Sequence, residues 1–125
     1  MKTVAPGARY HRTLVPPAAD TAAALGNTGV EVISTPAIIG YLEMTSHLLI
    51  EPLFEADEAS VGTEVSIRHL AAAFPGIEME CEAEVETVRG RRIRLKVRAS
   101  QAGKVIMDGH HERAVVDLGR FMTRG

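Results

Sequence analysis

Residues 34–54, STPAIIGYLEMTSHLLIEPLF, constrain the fold of this chain more than any other stretch. Thr35-Pro36 reads as a helix start, because proline suits the first helical position and a preceding threonine can cap the free N–H groups. Pro52 and the acidic EADEAS run mark its end. At about 100° per residue, Ile38, Ile39, Tyr41, Leu42, Met44, Leu48, Leu49, Ile50 and Leu53 cover most of the circumference. Only Gly40, Glu43, His47 and Glu51 form a polar wedge. A helix apolar nearly all round is expected to be buried, wrapped by a sheet. Glu43, at the edge of the wedge beside Ile39 and Ile50, is either a residue of the wet face or a functional carboxylate.

The remaining segments supply that sheet. Arg9 to Val15 is short, rich in β-formers and stopped by Pro16-Pro17, so an edge strand is expected. Asp20 to Leu25 suggests a helical turn, Gly26-Asn27-Thr28-Gly29 a loop, and Val30 to Ile33 an extended lead into the helix. After the helix the period changes to two. From Val61 to Phe74, the residues Val61, Thr63, Val65, Ile67, His69 and Ala71 share one face. Ile77, Met79, Cys81, Ala83 and Val85 then alternate with Glu78, Glu80, Glu82, Glu84 and Glu86. Ile93, Leu95, Val97 and Ala99 alternate with Arg92, Arg94, Lys96 and Arg98. A row of acids beside a row of bases fixes strand pairing and register, each cross-strand pair contributing about 0.2–1 kcal/mol. Lys104 to Asp117 is the last strand, followed by a short amphipathic tail, Leu118 to Met122. The predicted architecture is α+β: a curved antiparallel sheet of about five strands around one long helix, in a single domain over residues 1–125.

Composition excludes several classes of function. A formal net charge of −2 gives no electrostatic case for nucleic acid or an anionic membrane. A single cysteine, Cys81, rules out an internal disulfide framework and fits a reducing cytoplasm. No basic-then-apolar leader opens the chain, and Glu43, His47 and Glu51 interrupt the apolar helix, so a soluble cytoplasmic protein with no membrane partner is expected. Neither a P-loop nor a dinucleotide fingerprint occurs, and HExxH and CxxC are absent. His110 and His111 are adjacent on a strand, face opposite sides, and cannot both chelate one ion. No metal and no cofactor are therefore expected. Cys81, on the apolar face of its strand, reads as an inert core thiol.

Four polar residues point into or border the apolar interior. Thr35 alone reads as an N-cap, Glu43 alone as a wedge residue paired with His47 one turn on, and His69 alone as a core histidine satisfied by a backbone carbonyl. Arg113 shares a face with Val105, Met107, His111 and Val115, an unusual place for a cation, and suggests a buried anion or a bound ligand. Ionisable groups converging on one interior are a signal of a functional site.

STPAIIGYLE, SVGTEVSIRHLAAAFPG from Ser60 to Gly76, and GHHERAVVDL from Gly109 to Leu118 resemble the fluoroacetyl-CoA thioesterase group of hot-dog proteins. The specific part is a threonine at the helix start, a glutamate eight residues on, a histidine before a small-residue run and Pro-Gly, and HERAV in the last strand. The resemblance implies the hot-dog fold and hydrolysis of an acyl-CoA thioester in a homodimer with sites at the subunit interface. It implies Thr35, Glu43 and His69 as the catalytic set, with Gly62 and Arg113 contacting substrate. The chain departs from that group in one respect. The group carries phenylalanines before the catalytic threonine, as a lid over the acyl pocket, whereas Gly26 to Val30 holds no aromatic residue. Selectivity for a fluorinated acyl group is therefore not expected. A non-catalytic hot-dog module binding an acyl-CoA or another apolar ligand is the alternative. A hydratase of the same broad fold is disfavoured because no Asp-x-x-x-x-His pair is visible.

Overall fold

The structure, a computed structural model, describes residues 1–123. Strand β1 (Arg9–Leu14) is followed by a 3-10 turn at Ala18–Asp20 and by helix α1 (Thr35–Ile50), which runs into a second 3-10 turn at Glu51–Leu53. Strands β2 (Glu58–His69), β3 (Met79–Arg89), β4 (Arg92–Gln101) and β5 (Lys104–Asp117) follow, then one turn of helix, α2 (Leu118–Phe121). All five strands are antiparallel, in the order β1-β3-β4-β5-β2. Residues 70–78 carry the chain from β2, at one edge, across to β3 beside β1, at the other.

The expected alternation builds the core. Met79, Cys81, Ala83 and Val85 of β3 and Ile93, Leu95, Val97 and Ala99 of β4 are buried against Ile38, Leu42 and Ile50 of α1. On the opposite face Arg94 reaches Glu86 at 3.1 Å, Arg98 reaches Glu82 at 3.6 Å and Arg9 reaches Glu84 at 3.2 Å. These exposed pairs set register more than they add stability.

Bulges correct the face assignments. One between Gly62 and Glu64 turns Ser60 and Gly62 inward, where strict alternation predicts Val61 and Thr63. A second, between Val85 and Thr87, brings Val88 against the core, and a third, opposite Ala99–Ser100, buries Ile106 beside Met107 and leaves Val105 half-buried. Strand β2 stops at His69 rather than Phe74. Buried Gln101 holds the following turn instead, accepting from Phe74 N–H and donating to the carbonyls of Phe74 and Ile77, which leaves Ile77 largely exposed. Gly109 sits where β5 comes closest to β2, and a Cβ there would strike the Ser66 carbonyl.

The helix also differs from the expected greasy cylinder. Its N-cap is Ser34, whose Oγ accepts from Ala37 N–H at 3.2 Å, so Thr35 is free of that duty. Thr45 and Ser46 are buried by bonding backbone carbonyls one turn earlier, while Pro36, Gly40 and Met44 form an exposed stripe. The stripe lies beside Glu43, on the side of α1 that the chain's own sheet does not cover. Among the described residues, no helix is long and apolar enough to cross a membrane.

Candidate active site

The five residues singled out by the resemblance fall into two clusters. The first is at the start of α1, where the pre-helix segment is pinned on three sides. Ile33 N–H donates to Ala73 O at 2.8 Å, Ser34 N–H to Asp20 O at 2.9 Å, and Thr21 pairs with Ile33. Tyr41 O–H donates to Asp20 at 2.5 Å, and burial together with that carboxylate holds the phenol well above its ordinary pKa. This bracing fixes Thr35, whose Oγ1 lies 2.7 Å from His69 Nδ1 at the end of β2. His69 is thus satisfied by a hydroxyl and not by a backbone carbonyl. In the first turn, Pro36 has no N–H and Ala37 N–H is taken by Ser34, which leaves Thr35 to present a hydroxyl and an N–H at the helix start.

The second cluster lies two turns along α1. Glu43 does not pair with His47, which instead approaches Glu51 at 2.8 Å. Glu43 Oε2 is 3.5 Å from Arg113 Nη1 and 3.8 Å from His111 Nε2. The buried Arg113 donates from Nε to Ser60 Oγ at 2.9 Å, from Nη2 to Ser60 O at 3.0 Å, and from Nη1 to His111 Nε2 at 3.1 Å. Burial lowers its pKa, and Glu43 opposes that shift. His47 Nδ1 lies 2.8 Å from Ser60 Oγ, so the strand hydroxyl joins the histidine to the guanidinium. A cavity of about 350 Å³ opens here, lined by Gly40, Glu43, Met44, His47, Ser60 and Arg113. A larger hollow of about 570 Å³ lies on the outer face of the sheet among paired charges such as Glu82, Arg98 and Asp108, and it contains none of the five residues.

Gly62 explains itself here. A Cβ on this residue would lie 2.5 Å from Glu43 Oε2 and 3.1 Å from His111 Cε1, so the bulge brings bare backbone beside the carboxylate. Gly62→Ala is expected to push the Glu43 carboxylate aside with the fold intact. A crystal structure of the variant beside a thermal melt would check it, and an unmoved carboxylate would contradict it.

Within one chain the two clusters stay apart. Eight residues of helix separate Thr35 from Glu43 by about 12 Å. Seven residues of β2 separate Gly62 from His69 by about 20 Å. The bulge-dependent Ser60 and the fully inward His111 are functional candidates that spacing alone did not single out. His111 did leave a trace, as a second polar residue on the face of Arg113.

A family model of fluoroacetyl-CoA-specific thioesterases matches residues 17–118. The fluoroacetyl-CoA thioesterase of Streptantibioticus cattleyicolor is 36% identical over 94 residues, covering 75% of this chain and 68% of that protein. The crystal structure of a variant fluoroacetyl-CoA-specific thioesterase with fluoroacetate and CoA superposes with a TM-score of 0.90 at 31% identity, over 94% of this chain and 99% of that one. A thioesterase superfamily member from Thermus thermophilus gives 0.89 at 26% identity, over 97% and 90% of the two chains. A hot-dog-like protein from Thermanaerovibrio acidaminovorans, 22% identical with a TM-score of 0.85 over 93% and 86%, shares the fold. With this fold and these matches, the chain belongs to the fluoroacetyl-CoA-specific thioesterase family and is a thioester hydrolase of the hot-dog fold.

Proposed function

We propose that this protein hydrolyses an acyl-CoA to the free acid and CoA, in a homodimer whose active sites each combine the Thr35–His69 cluster of one subunit with the Glu43–Arg113–Gly62 cluster of the other. The observation that carries this reading is the split between the clusters, together with the edge strand that separates them. Strand β2 is long, free of proline and unpaired on its outer side, a ready template for another strand. An antiparallel pair of β2 strands about a twofold axis at Ser66 sets Val65 against the partner's Ile67 and Glu64 against the partner's Arg68. The bulge keeps Gly62 in phase with the partner's His69, so each twofold-related end unites one half-site of each kind. The same association covers the exposed stripe of α1 around Met44.

The chemistry follows from the residue types. Thr35 N–H and O–H at the helix start polarise the thioester carbonyl and receive its developing negative charge. Glu43 has two routes. As a base it takes a proton from water while the oxygen adds to the carbonyl carbon; the carbon–sulfur bond then breaks and the proton goes to the leaving thiolate. As a nucleophile its carboxylate adds to that carbon, expels the thiolate, and leaves a mixed anhydride that water cleaves. Isolating an acylated Glu43 from a single turnover separates the two. His69, oriented by Thr35, shuttles the proton, and Arg113 pairs with the Glu43 carboxylate.

We infer an acyl group that is small or medium-sized, or a broad specificity, without selectivity for a fluorinated acyl group. The pre-helix segment is a pinned hairpin, with Ala22 N–H on Val32 O and Ala23 N–H on Val30 O, and its tip offers Leu25 and Val30 where an aromatic lid would sit. We place the enzyme in the cytoplasm, where its one thiol stays reduced; burial pushes Cys81 up to about 11, which keeps it inert. Free-thiol release from a panel of acyl-CoAs tests the function. Cleavage of at least one non-fluorinated acyl-CoA is expected. Binding of acyl-CoAs with no thiol released would instead establish a binding module.

A further inference from the structure

We propose that His111 is a positioning residue that keeps the Glu43 carboxylate free for reaction by drawing one N–H of Arg113 away from it; this rests on Glu43 being the reacting carboxylate. His111 is 2% exposed and belongs to neither half of the catalytic set. Its Nδ1 lies 2.9 Å from the Glu64 carbonyl oxygen of β2, and its Nε2 lies 3.1 Å from Arg113 Nη1. A carbonyl only accepts and a guanidinium only donates, so both neighbours specify one neutral tautomer, with the proton on Nδ1 and a lone pair on Nε2. The groups facing the ring are Glu43 from α1, Arg113 from β5 and the Glu64 carbonyl from β2, while its β4 partner, Leu95, is apolar. Burial and the Arg113 charge disfavour a second proton, against the opposite pull of the Glu64 carbonyl and Glu43.

The Glu43 carboxylate lies 3.8 Å from Nε2, and two acceptors cannot bond each other. The Nε2 lone pair instead engages Arg113 Nη1, which then stands 3.5 Å from Glu43, beyond a close hydrogen bond. The guanidinium is clamped independently by Ser60 through Nε and Nη2, so it cannot follow the carboxylate. The Glu43 carboxylate thereby lies beside the cation without a close donor on it, the arrangement that either of its two routes requires. Without the Nε2 acceptor, that N–H has no partner but Glu43, and the part-exposed carboxylate closes onto the fixed guanidinium and is tied up.

Two replacements separate positioning from mere support of the strand. An asparagine reaches only the place of Nδ1 and keeps a donor for the Glu64 carbonyl. A glutamine reaches the place of Nε2 and offers Arg113 an amide oxygen. His111→Asn is expected to lose about 10²-fold in kcat with KM little changed, and His111→Gln to stay within about 10-fold of wild type. Thermal melts should show both folded. Asparagine retaining wild-type kcat, or glutamine failing as badly as asparagine, overturns the inference. Glu43→Gln, measured alongside, keeps the two levels distinct. If it turns over at the wild-type rate, the reading of Glu43 itself fails; if it is inactive while His111→Asn is fully active, only the role of His111 fails.

Discussion

Glu43→Gln is expected to lower acyl-CoA turnover at least ~10²-fold, the scale of losing a general base, while leaving the fold and the proposed dimer unchanged. Glutamine keeps the size of the side chain and its reach toward Arg113, so the loss isolates the charge and basicity of the carboxylate. The side chain is 41% exposed, and its removal opens no core cavity. Arg113 loses its anion but keeps three donated bonds, to Ser60 and His111, so the buried cation is not orphaned. Glu43→Ala adds nothing mechanistic and takes away the shape. Quantified thiol release under saturating substrate is the measurement. A rate within a few-fold of wild type would remove Glu43 from the mechanism whatever the substrate proves to be.

Val65→Asp is expected to convert the protein to a folded monomer at micromolar concentration, with turnover falling to background. Val65 lies on the inward face of β2 and is 41% exposed within one chain, so aspartate is tolerated there in a monomer. Pairing of two β2 strands would bury that charge against the partner's Ile67 and, through the twofold axis, would bury it twice. An unpaired buried charge costs several kcal/mol, which shifts association by several powers of ten. The proposed register has a finer check. Arg68→Glu sets like charges opposite Glu64 at two symmetric places and weakens the dimer, and adding Glu64→Arg restores it. Sedimentation of each variant, alongside thiol release, reads both effects. A dimeric and active Val65→Asp protein would mean that subunits meet elsewhere.

Local periodicity carried much of this fold. The alternation of Met79, Cys81, Ala83 and Val85 against a row of glutamates is a statement about one face, and it survives folding. The long apolar run of α1 required a sheet around it, and the chain supplies one. What periodicity cannot carry is an inserted residue. The bulge after Gly62 leaves no compositional mark beyond a glycine in a strand, yet it reverses the facing of Ser60, Val61, Gly62 and Thr63 and delivers Gly62 to Glu43. The stop of β2 at His69 depends on Gln101, some thirty residues away in sequence, catching the backbone at Phe74 and Ile77. Capping went to Ser34 rather than Thr35 by a shift of one residue, and that shift is what frees the Thr35 hydroxyl for His69. Of the site, the residues on helix and strand faces were legible as out-of-place polar groups. Their grouping into two distant clusters was not, because it depends on how far the helix rises between Thr35 and Glu43 and on where β2 lies in the sheet.

In the proposed dimer, His69 and Glu43 act in one site from two different subunits. Mixing two inactive dimers tests it directly: His69→Ala and Glu43→Gln proteins, each purified alone, then dissociated together and re-associated in equal amounts. Half of the resulting dimers are mixed, and each of these carries one site with both residues intact, so about a quarter of wild-type thiol release should return. If both residues of a site came from the same chain, every site in every dimer would lack one of them, and the mixture would stay as inactive as its parts.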